Sequence, residues 1–102
     1  VIKLLHIEDC PSWREAQKNL EEALAILGTS EGFETVKIAT GSESRAKDFG
    51  GSPTITRDGI DIFKHSEPVK NLACRIYATE EGLKGSPSTE MILAALKEHA
   101  LQ

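Results

Sequence analysis

The chain opens on an apolar run and then switches to a helical period. Residues 2–7, Ile-Lys-Leu-Leu-His-Ile, are apolar on both alternating faces, which suits a strand covered on both sides inside an α/β sheet. Across 11–27 the apolar residues fall at Trp13, Ala16, Leu20, Ala23, Leu24 and Leu27, with Arg14, Lys18, Glu21 and Glu22 on the other face. That spacing predicts an amphipathic helix, with Pro11 at its first position and Gly28 ending it. Residues 33–39 alternate and predict a second strand. Thr40-Gly41-Ser42-Glu43 has capping-box spacing, so a short helix is expected over 42–48, with Ala46 and Phe49 packing inward, until Gly50-Gly51 breaks it. Asp58-Gly59 lies between two strand-like runs, the strongest hairpin signal in the chain. Residues 64–71 read as loop. Residues 72–78 are apolar around Cys74, and the pattern leaves strand and irregular structure both open. Residues 80–85 read as loop. A last helix is expected with Ser86 as N-cap and Pro87 at its first position, its apolar face formed by Ile92, Leu93, Leu96 and Ala100.

The order is therefore β-α-β-α-β-β-α. The first βαβ unit implies a right-handed crossover with parallel strands, and the hairpin adds an antiparallel strand. The expected product is a small mixed sheet with helices on both faces.

Length and charge narrow the picture. At 102 residues the chain makes one domain with a modest core. A net charge of −4, with no basic cluster and no aromatic platform, argues against a nucleic-acid partner. No apolar run approaches the ~18 residues that span a membrane. With no signal-peptide pattern and only two cysteines, the expectation is a soluble, cytoplasmic monomer. Two cysteines are too few for a disulfide framework or a structural zinc site, so no resident structural metal is expected.

The candidate chemistry begins at Cys10. It stands where the first strand turns into the first helix. Free N–H groups and the helix dipole at such a point favour a thiolate, the reactive form. Glu8 and Asp9 oppose that effect. Asp9 reads either as a helix cap or as an acid–base group. Trp13 is on the buried stripe and reads as core packing or as site lining. Cys74, in an apolar segment, reads first as an inert buried cysteine and second as a partner thiol. His6 reads as a satisfied core or boundary histidine. His65 and His99 read as exposed, and no metal-ligand spacing joins them. Phe33, Phe49 and Phe63 read as core, and Arg75 and Tyr77 as residues that point outward.

The element order, with Cys10-Pro11 after the first strand and Gly51-Ser52-Pro53-Thr54 before the hairpin, resembles the thioredoxin-like superfamily over essentially the whole chain. The resemblance implies that Cys10 is the nucleophile and that Pro53 is a cis-proline facing it. Trp13 stands where that family places a second, resolving cysteine, so the chain looks like a single-cysteine member. It also resembles small bacterial thioredoxin-like proteins with a Cys-Pro-x-Trp start and a later Ala-Cys-Arg-Ile/Leu-Tyr segment, some of which carry an alkylmercury-lyase label.

Three functions follow as expectations. The first is thiol–disulfide exchange with a disulfide-containing protein or a small thiol. Cys10 would be resolved by Cys74 or by glutathione or another low-molecular-weight thiol as co-substrate. Pro11, Trp13, Ser52, Pro53 and Ser86 would line the substrate site: the Ser52-Pro53 edge would pair with an extended substrate, and the helix start at Ser86 would receive a carboxylate. The second is a non-catalytic binding module on the same fold. The third is capture or cleavage of a thiophilic metal or organomercurial between Cys10 and Cys74.

Overall fold

The computed structural model describes residues 1–8, 10–39, 49–63 and 74–100. The expectations for Asp9, for the helix over 42–48 and for His65 lie outside the described residues, as do those for the side chains of His99 and Ala100.

Six strands and two helices are described. They are β1 (Ile2–His6), α1 (Trp13–Leu27), β2 (Phe33–Lys37), β3 (Thr54–Arg57), β4 (Ile60–Asp61), β5 (Tyr77–Thr79), β6 (Gly82–Lys84) and α2 (Thr89–Ala100). Four strands form a mixed sheet in the order β2-β1-β3-β4. β1 is parallel to β2, with Leu4 beside Thr35, and antiparallel to β3, with Leu4 beside Ile55. β3 and β4 close the expected hairpin, Arg57 opposite Ile60. Its two turn residues, Asp58 and Gly59, have φ of 52° and 85°. A two-residue turn with both φ positive matches the right-handed twist of the strands, and Asp and Gly are residues that tolerate it.

Alternation sorts β1 onto two cores. Ile2 and Leu4 meet Ile55, Ala16, Leu20, Leu24, Ile92 and Leu96 in one cluster. Leu5 and Ile7 meet Cys10, Ile38 and Phe49 in another. Both described helices contribute to the first cluster, so α1 and α2 share one face of the sheet. Gly28 ends α1 with φ of 70°, and its N–H donates to the Ala25 carbonyl at 3.1 Å, the left-handed terminus the sequence predicts.

Three boundaries differ from expectation. α1 begins at Trp13, with Ser12 as N-cap; Pro11 belongs to the turn before it, where its carbonyl accepts the Arg14 N–H at 3.2 Å. α2 begins at Thr89, and its cap is Ser88, whose Oγ accepts the Met91 N–H at 3.2 Å. Ser86 is thus not the cap. The stretch expected as loop over 80–85 holds β6, paired with β5. Its residues are exposed throughout, so no apolar alternation marks it. The reversal is instead held by Thr79, whose Oγ1 donates to the Gly82 carbonyl at 2.7 Å and accepts the Glu81 N–H at 3.2 Å.

Candidate functional site

The site is built where β1 runs out beside the turn into β3. Cys10 lies three residues before α1, and it is 1% exposed in the cluster of Leu5, Ile7, Ile38 and Phe49. Cys74 is exposed. The two are joined as a disulfide, with a Cα–Cα distance of 6.0 Å, inside the usual range for such a bond. This corrects the first reading of Cys74 as an inert buried cysteine. It also separates Cys10 from the helix start, whose N-cap is Ser12, and places it in an apolar environment.

The Ser52–Pro53 peptide is cis, in the place the resemblance implied. Ser52 is fully buried and tied on both sides. Its Oγ accepts the Ile7 N–H at 3.0 Å, and its carbonyl accepts the Arg75 N–H at 2.8 Å. A parallel bridge pairs Ser52 with Cys74. The edge expected to take an extended substrate is therefore filled by this chain's own residues 74–75.

Next to Cys74 is a polar cluster that the sequence pattern did not reveal. Arg75 Nη1 donates to Asp61 Oδ2 at 2.6 Å, with side chains 11% and 2% exposed. Asp61 Oδ1 also accepts the Phe63 N–H at 2.9 Å. The Arg75 guanidinium lies 4.7 Å from the centre of the Tyr77 ring, and Phe63 meets the same ring edge-on at 5.3 Å. Tyr77 is 4% exposed, and its hydroxyl donates to the Pro53 carbonyl at 2.5 Å. Burial pushes the phenol pKa well above its ordinary value, so the group stays a donor. Arg75 and Tyr77 do not point outward, because Asp61 and Pro53 satisfy them inside.

A signal did exist. In β4 the apolar Ile60 is 59% exposed while Asp61 is buried, and next to Cys74 Ile76 is 70% exposed while Arg75 and Tyr77 face in.

Trp13 is half-buried and stacks on His6, ring centres 4.1 Å apart and 14° from parallel. The Arg14 guanidinium is 5.0 Å from the Trp13 ring. Among the described residues, no hydrogen-bond partner meets the buried His6 Nδ1; the ring is held by its stacking on Trp13. Burial lowers the His6 pKa; the Ile7 backbone opposes it, and the Lys37 and Arg14 charges act with the burial. Among the predicted core aromatics, Phe49 is fully buried, while Phe33 and Phe63 pack partly buried against the first cluster.

Ser86 is buried, and its hydroxyl donates to Glu15 Oε2 at 3.1 Å, so it ties the approach to α2 onto α1. A carboxylate is already in place at that hydroxyl, and a second would be repelled. Gly85 completes the contact: a Cβ there would collide with the Ser12 hydroxyl. Among the described residues, no group of three or more His, Cys, Asp or Glu is placed to hold a metal ion. An open apolar groove of about 510 Å³ lies between Leu24, Leu27, Leu96 and Arg57, at the opposite end of α1 from Cys10. No described helix is long and apolar enough to cross a membrane.

Searches against protein-family models, curated proteins and solved structures find no match for this chain.

Proposed function

We propose that this chain is a thiol–disulfide oxidoreductase of thioredoxin-like architecture, with Cys10 and Cys74 as its redox pair. One observation carries the reading. Two cysteines 64 positions apart are bonded to each other beside the cis Ser52–Pro53 peptide. Trp13 removes the resolving thiol from the motif, and Cys74 supplies one from the other end of the chain. The strand order and the parallel β1–β2 pair agree with that architecture.

In the cycle, the reduced pair gives two electrons to a target disulfide and closes to the Cys10–Cys74 disulfide, releasing the target as two thiols. A small thiol such as glutathione then reopens the pair and leaves as its own disulfide. In the oxidised state both sulfurs are engaged with each other, so capture of a thiophilic metal would have to follow reduction.

The test is equilibration of the native protein in glutathione redox buffers, together with turnover on a model disulfide. The pair is expected to exchange reversibly, and the double variant Cys10→Ser with Cys74→Ser is expected to abolish turnover. A pair that stays closed throughout, with a potential below about −300 mV, would make the disulfide a structural clasp and end the enzymatic reading.

A further inference from the structure

Resting on the redox reading above, the geometry points to Cys74, and not Cys10, as the sulfur that exchanges with substrate, with Cys10 as the internal thiol that opens and closes behind it. The motif suggests the opposite order, because Cys10 holds the position expected of the nucleophile.

Three observations support the reversal. Cys10 is 1% exposed, packed with Leu5, Ile7, Ile38 and Phe49. Cys74 is exposed, and the next side chain but one, Ile76, is 70% exposed. Cys74 is also held in place without being covered. Its strand partner is Ser52, and the neighbouring Arg75 is pinned twice, by its N–H on the Ser52 carbonyl and by its guanidinium on Asp61.

Direction of attack turns these facts into an assignment. A thiolate displaces along the S–S axis, approaching the attacked sulfur from the side away from the leaving one, and access governs which sulfur reacts. Reaching Cys10 Sγ along that line means passing through the packed cluster. Reaching Cys74 Sγ means arriving from solvent. An incoming thiolate therefore bonds to Cys74 Sγ, the Cys10–Cys74 bond breaks, and its electron pair leaves with Cys10 as thiolate. A second thiolate attacking the mixed disulfide at the small thiol's sulfur frees Cys74. In the forward direction the Cys74 thiolate attacks a target disulfide and expels one target thiolate. Cys10 thiolate then attacks Cys74 Sγ, expels the other, and restores the internal bond.

The experiment uses the oxidised wild-type chain and excess glutathione. The reaction is quenched with acid at early times, free thiols are alkylated, and peptide mass spectrometry locates the glutathione. The expected product carries glutathione on Cys74 and the alkyl group on Cys10. Glutathione on Cys10 would overturn the assignment and leave the exchange reading standing. A chain that gains neither glutathione nor free thiols would overturn both. If reclosure outruns the quench, the single-cysteine proteins decide. Reduced Cys10→Ser is expected to form its mixed disulfide with glutathione disulfide about tenfold faster than reduced Cys74→Ser, and equal or reversed rates would overturn the assignment.

Discussion

Two regions of this small molecule are held together in different ways. Between the sheet and the helices, Leu4, Leu20, Ile55, Ile92 and Leu96 are buried together as apolar side chains, fully out of water. At the cysteine edge, Asp61, Arg75 and Tyr77 fix the backbone at Ser52 and Pro53 by charge and hydrogen bond. The first kind of contact is non-directional and tolerates exchange of one shape for a similar one. The second depends on each partner being present, because a buried polar group that loses its partner keeps its desolvation cost. The apolar region makes the fold stable. The polar region fixes where Cys74 lies.

Removing one partner at the polar edge should have the largest effect. Asp61→Ala removes the carboxylate that the Arg75 guanidinium bonds and should cost about 3–5 kcal/mol in denaturant unfolding. The paired change Asp61→Leu with Arg75→Met should recover most of that loss, since an apolar pair of similar size often replaces a buried ion pair without cost. If the double variant is as unstable as the single one, the contrast between the regions is wrong.

Reduction of the disulfide comes next. Cutting the link between residues 64 apart frees the unfolded chain and should lower stability by about 4 kcal/mol on the chain-entropy account, read as a lower melting temperature with reductant. In the apolar region, Leu20→Ala should cost about 3 kcal/mol, while Leu20→Met should cost less than about 1.5 kcal/mol. That tolerance is the property the polar edge lacks. Tyr77→Phe removes one donor from the Pro53 carbonyl and should cost about 1–2 kcal/mol.

The smallest effect is at His6, between the two regions. Its pKa is held below the ordinary 6.5. As pH falls through that value, the unfolded chain takes up the proton first, so folded stability decreases until the folded pKa is passed. His6→Phe keeps a ring against Trp13 and removes the titration. The stability advantage of the wild type over this variant should therefore shrink as pH drops from 7 toward 5. A constant difference would show that His6 is equally free to protonate in the folded state.

The same contrast explains what could be read before the structure. The apolar region is periodic, so β1, α1 and the Asp58-Gly59 hairpin were legible from spacing and turn chemistry. The polar edge is aperiodic. Its residues come from β4, β5 and the segment between Cys74 and Tyr77, and nothing local announces that Asp61 and Arg75, 14 positions apart, will meet. Arg75 and Tyr77 face inward, against the apolar rule, because Asp61 and the Pro53 carbonyl hold them there. Cys74 follows the same rule: the segment around it is mostly apolar, but its position is set by backbone pairing with Ser52. Ahead of α2 two serines compete for the cap. Ser86-Pro87 and Ser88 both offer a hydroxyl ahead of the helix, and the Ser86 hydroxyl is drawn away by Glu15.

The bond between Cys10 and Cys74 also makes the backbone a covalent ring with two tails. The ring contains α1, β2, β3 and β4; β1 lies on one tail, and the β5–β6 hairpin and α2 lie on the other. A protease that cuts once within the ring opens it but releases nothing, whereas the same cut in a tail sheds a fragment. After ring cleavage the molecule keeps its full mass until a thiol arrives, and then separates into two. Redox state therefore decides how long a nicked copy survives as one particle.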